Sequence, residues 1–200
     1  YLNDSEPIIT YSESSNNNIG ISFSEPAYEI YSGLNLNANQ SASIGLKSGY
    51  ITSDLTWEFY DGKIAVLGNV YVDKSGNKCR LTIEPGNHIA LAENISLYIG
   101  DDSNDGGELY AEGTSDSTIT FSSVNDSVGG SGGIIFRNAS DYAGAVSSLK
   151  NCIFEKGDSY NIYLENTNSI TIDSCLIRNS AGYGLQTLNS DLSLSNTEFT

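Results

Sequence analysis

The feature that most constrains this chain lies between Leu149 and Phe199, where one short apolar phrase occurs three times, as LKNCIF, IDSCLI and LSNTEF. Leu149, Ile172 and Leu194 correspond, as do Cys152, Cys175 and Thr197, and then Phe154, Ile177 and Phe199. The phrase returns after 23 residues and then after 22. A repeat of ~20–29 residues points to a solenoid, in which each unit buries its apolar side only against its neighbours.

Two solenoids fit that length. Ile170, Ile172, Cys175 and Ile177 match part of a leucine-rich repeat. Its preceding Leu is missing, however, because Thr167 and Asn189 stand there. The rest of the unit, RNSAGYGLQTLNSD, places Gly, Asn and Ser where a helical turn would be needed. The alternation in NIYLE and GLQTL is that of strands. A parallel β-helix satisfies both the period and the pattern. Corresponding residues then stack about 4.8 Å apart, with Leu149, Ile172 and Leu194 in one internal ladder and Cys152, Cys175 and Thr197 beside them. Ile162 over Leu185 and Leu164 over Thr187 line a second face, and Asn and Ser turn the corners.

Upstream, short alternating stretches such as IGISFS, KIAVLGNVYV, RLTIE, ISLYIG and TITFSS are bounded by Gly, Asn, Asp or Ser. No window carries helical periodicity. The chain is read as all-β, with residues 51–200 forming a parallel β-helix and residues 1–50 a separate N-terminal β-segment, acting as a cap or strand donor. LTIEPGNHIALAENISLYIG, ELYAEGTSDSTITFSS, GGIIFRNAS and SLKNCIFEKG resemble successive coils of the right-handed parallel β-helix proteins of bacterial and archaeal surfaces, a pectate-lyase-like family. The likeness covers Leu81 to Phe199 and, more weakly, Trp57 to Val72. It implies a fold and leaves activity open.

Nine basic residues against twenty-five acidic ones give a net charge of -16, which disfavours nucleic acid and anionic membrane surfaces as partners. No apolar run approaches the ~20 residues of a membrane helix. The sequence has no Met, so Tyr1 is read as the start of a processed chain. Three cysteines are too few for a disulfide framework. Cys152 and Cys175 are expected as buried rungs and Cys79 as a free buried thiol. Rich in Ser, Asn, Gly, Thr and Tyr, the chain is expected to be extracellular or displayed at a cell surface.

Members of such a family that cleave polysaccharides need clustered carboxylates beside a base. Here Arg137, Arg178, Lys150 and Lys156 are scattered cations, and Glu165 and Asp173 isolated acids. His88 is expected as a solvent-facing structural residue, no nucleophile–base pair is evident, and no catalytic function is assigned. Trp57 and the tyrosines are read as a carbohydrate platform or as cross-strand packing, the latter preferred. Asp101, Ser103, Asp105, Gly106 and Glu112 match the spacing of a 12-residue Ca²⁺ loop. A solvated turn is the simpler reading; Ca²⁺ is an optional ligand, and no cofactor is required. Sequons stand at Asn3, Asn39, Asn94, Asn125 and Asn138.

The expected role is structural: an extracellular subunit that assembles head to tail into a filament. Leu192, Leu194 and Phe199 would present an open coil, and Ile8, Ile9, Ile19 and Ile21 would supply strands to it. A polysaccharide-binding or lyase-like module of a larger surface protein is the alternative.

Overall fold

A computed structural model describes residues 15–23, 39–40, 42–101, 105–138 and 144–200. Among them there is no helix, and the strands stack as a parallel β-solenoid of about six turns. Three sheets run along it. The eight-stranded sheet begins with Ile19–Phe23 and ends with Glu198–Phe199. The six-stranded sheet runs from Gly49–Ile51 to Tyr183–Leu188, and the seven-stranded sheet from Leu55–Trp57 to Asp191–Ser195. Among the described strands one pairing is antiparallel, that of Lys74–Ser75 with Asp105–Glu112.

The ladders expected from the repeat are present. Leu149, Ile172 and Leu194 are in register, as are Ile162 with Leu185 and Leu164 with Thr187. The phrase ending in Phe extends through the whole solenoid, as Ile44, Ile64, Ile89, Phe121, Phe154, Ile177 and Phe199. Because side chains alternate across a strand, each of these positions points inward and buries apolar surface against the rung below. Cys152 and Cys175 are buried and free, as is Cys79. Burial, helped by the nearby Asp73 and Asp54, pushes the Cys79 thiol up to about 11.

Many corners from Gly76 onward are turned by a residue in left-handed backbone conformation. Asn151, Ser174 and Asn196 follow one another up one corner, with φ of 47°, 55° and 47°, and Asn138, Asn166 and Asn189 up another, at 48°, 49° and 47°. Asn tolerates this region better than other residues with a Cβ. In the second corner Asn189 Nδ2 also donates to Asn166 Oδ1 at 3.3 Å. The exposed Asn166 therefore serves mainly through its backbone. Asn166→Val should cost about 1–2 kcal/mol, whereas Asn166→Gly should fall within a few tenths of wild type. Thermal melting of the two variants checks this, and equal losses would contradict it.

The boundary expected at residue 50 is not a break in the solenoid. Ile19–Phe23 pairs in parallel with Ala42–Leu46, which pairs with Lys63–Val66, so these segments are rungs of the eight-stranded sheet. Ile19 and Ile21 sit on Ala42 and Ile44 of the same chain, which removes them as free strand donors. Ile8 and Ile9 lie outside the described residues. The coils differ in length: successive inward residues are 20 apart at Ile44 to Ile64 but 33 apart at Phe121 to Phe154. The surplus is carried at the corners, leaving the rungs in register.

Candidate functional site

The proposed Ca²⁺ loop does not close on one point. Asp105 opens and Glu112 ends a single eight-residue strand, and at ~3.3 Å per residue their Cα atoms stand about 23 Å apart. Glu112 instead accepts a hydrogen bond from Ser148 Oγ at 2.5 Å. Asp101 is ion-paired with Arg137 at 3.5 Å, and Ser103 lies outside the described residues. Among the described residues, no three acids, histidines or cysteines cluster as a metal site. The glycines of this segment answer to packing. A Cβ on Gly107 would sit 2.0 Å from the Val72 carbonyl oxygen, and one on Gly106 2.7 Å from that of Asn77.

The same strand carries Glu108, which is only 2% exposed although it belongs to the outer side of the seven-stranded sheet. Lys78 Nζ donates to its Oε1 at 2.8 Å, Arg80 Nε and Nη2 to its Oε2 at 2.8 Å each, and the Val146 N–H to Oε1 at 3.0 Å. Lys78 also donates to the Gly144 carbonyl, so the carboxylate pins the 144–146 segment over the sheet. Burial acts to raise its pKa, but the donors from Lys78, Val146 and Arg80 outweigh burial and hold it below the ordinary carboxylate value.

A second cluster lies on the outer side of the eight-stranded sheet. His88 Nε2 and Ser122 Oγ are 2.6 Å apart, a pair the sequence reading missed. Thr120 is the register partner of His88, and period-two alternation puts Ser122 on the same side, so the TITFSS spacing held the signal. Glu155 is paired with Arg178 Nε at 2.7 Å and with Lys156 at 3.3 Å, and Lys156 in turn with Asp126. Here the expectation of a solvent-facing histidine needs correcting. Burial, then the neighbouring Lys63, holds the half-buried His88 below its ordinary pKa. Ser122 is 1% exposed, and the void beside it, also lined by Ser131, Glu155 and Asn161, has about 10 Å³. That is room for one water.

Trp57 is fully buried and presents no surface to a sugar. The tyrosines on the outer side of the six-stranded sheet form a ladder. Tyr50 and Tyr71 stack with ring centroids 4.9 Å apart, and Tyr71 and Tyr98 at 4.8 Å. Ile135, Tyr163 and Gln186 continue the same row. The Arg137 guanidinium lies 5.5 Å from the Tyr98 ring centroid. Unequal spacing along the chain hid this row from a reading by period.

Of the sequons, Asn94 and Asn125 are exposed in turns. Asn39 is half-buried and accepts a hydrogen bond from the Asn17 N–H, and Asn138 is half-buried at its corner. Asn3 lies outside the described residues. In the last coil Leu192 packs partly against the core, while Leu194 is 45% and Phe199 48% exposed. No family model, curated protein or solved structure matches the chain.

Proposed function

We propose that this chain is a structural, rod-forming module of an extracellular or cell-surface protein, and that it associates end to end through further β-helix coils. The observation that supports this reading is the uninterrupted inward ladder from Ile44 to Phe199, which builds a rod of stacked coils from strands alone. A strand edge with apolar side chains on its inner side is a template for another strand. If the contact joins different surfaces on two copies, it propagates into a filament unless its rotation closes a ring. A polysaccharide-binding module ranks second: Tyr50 and Tyr183 are well exposed, but the Tyr71 ring beside Tyr50 in the row is covered on both faces, by Tyr50 and Tyr98.

The test is negative-stain microscopy and sedimentation of the chain across concentration. Rods lengthening with concentration, and lost in Phe199→Asp, are the expected result. A wild-type chain that stays monomeric at high concentration would overturn the end-to-end reading.

A further inference from the structure

Cys152 and Cys175 stand 23 residues apart, the length of one coil. Lys150 pairs with Asp173 and Ile153 with Leu176 at that same offset, so the two cysteines are stacked on adjacent coils. Each follows a corner residue of left-handed backbone, Asn151 or Ser174. Their Cα atoms are therefore about 4.8 Å apart, inside the range that disulfides span. The Cys175 Sγ donates to the Leu149 carbonyl at 3.6 Å. Leu149 belongs to the coil of Cys152, so the Cys175 sulfur already leans toward its neighbour. The Cys152 Sγ leans the same way, onto the Ala111 carbonyl of the coil beneath at 3.1 Å. Turning Cys152 about its Cα–Cβ bond is the movement that brings the sulfurs together. The rungs on either side are Ile119 and Thr197, which cannot extend the pairing.

We infer that Cys152 and Cys175 are a redox-active pair, which closes to a reversible disulfide that staples two adjacent coils. The thiols already act on one another. Contact with Cys175 pushes Cys152 well above the ordinary thiol value, and contact with Cys152 holds Cys175 below it. Cys175 is thus the nucleophile. Its thiolate attacks one sulfur of a small disulfide such as oxidised glutathione, forming a mixed disulfide and expelling a thiolate. Cys152 gives its proton to the expelled thiolate and attacks the Cys175 sulfur, expelling the second. Two protein thiols become one disulfide, and the oxidant leaves as two thiols. Both cysteines are at most 3% exposed, so the exchange proceeds through local opening of the coils. Side chains that leave the backbone nearly parallel strain the bond, which a reductant therefore reopens. Cys79, whose thiol donates to the Ile51 carbonyl at 3.0 Å, is the internal control.

The folded full chain is incubated with oxidised glutathione, its remaining thiols are alkylated under denaturing conditions, and tryptic peptides are read by mass spectrometry. Cleavage after Lys150, Lys156 and Arg178 puts the two cysteines on separate peptides. The expected result is a crosslink joining them, one alkylated thiol at Cys79, and reversal by dithiothreitol. Because the bond closes a loop of one coil, the oxidised chain should melt about 2–8 °C above the reduced one. Cys152→Ser and Cys175→Ser should each abolish both the crosslink and the shift, whereas Cys79→Ser should keep them. Three alkylated thiols after oxidation overturn the inference, and so do stable glutathione adducts without a crosslink. A crosslink through Cys79, one that forms only in urea, or an oxidised chain that melts no higher than the reduced one overturns it as well.

Discussion

Phe154→Ala should destabilise the chain by about 3–5 kcal/mol. Phe154 is fully buried, and its ring stacks on Phe121 with centroids 4.9 Å apart and planes 3° from parallel. Ile177 covers it from the next coil. Removing the ring opens a cavity between two rungs, and in a solenoid both neighbouring interfaces lose contacts. The strands on either side are hydrogen-bonded through their backbones, so collapse into that cavity is restricted. Phe154→Leu keeps most of the volume and should cost less than about 1.5 kcal/mol. Urea unfolding reads both values. A loss below about 1 kcal/mol for the alanine variant would mean that this ladder is not what holds the coils together.

The second large effect concerns Glu108. Glu108→Gln keeps the shape but leaves Lys78 and Arg80 facing a neutral amide, and should cost about 2 kcal/mol at neutral pH. The two cations are over a third exposed, so water compensates part of the loss, and the figure stays below that of a fully buried pair. The pH dependence follows from the depressed pKa. Between the unfolded value, near ~4.3, and the lower folded value, the unfolded chain binds the extra proton. The stabilisation is therefore complete above the unfolded pKa and is lost as pH falls through the folded one. Stability measured from pH 7 to pH 3 should fall less steeply in Glu108→Gln than in wild type. Parallel curves would show that the carboxylate is not coupled to folding.

The solenoid was legible where its coils are plain. Between Leu149 and Phe199 two consecutive coils carry no long insertion, so the same residues recur at nearly constant spacing. Between Ile89 and Phe154 each coil gains about ten residues at its corners, and the period dissolves although the rungs stay paired. The segment Asp105–Glu112 was misread for a different reason. Acids and glycines suggest a turn locally, but its partners are Lys78, Arg80 and the backbone of Val72 and Asn77, roughly thirty residues earlier. Those contacts make a strand of it. The N-terminal boundary failed similarly: Ile21 and Ile44 are one coil apart, and their likeness is too sparse to announce it. Ser122 and His88 meet only once register is known.

The hydrogen bonds between coils run along the long axis, because the strands lie across it. Tension applied along that axis opens these bonds a strand at a time, whereas tension along the strands would have to shear a whole row together. A rod of this kind lengthens under axial load by shedding coils from its ends. Each lost coil releases 20 to 33 residues, as from Ile44 to Ile64 or Phe121 to Phe154, which is about 70–110 Å of extended chain. Corners that lengthened without disturbing the ladder would thereby also have set the length of slack that each coil can pay out.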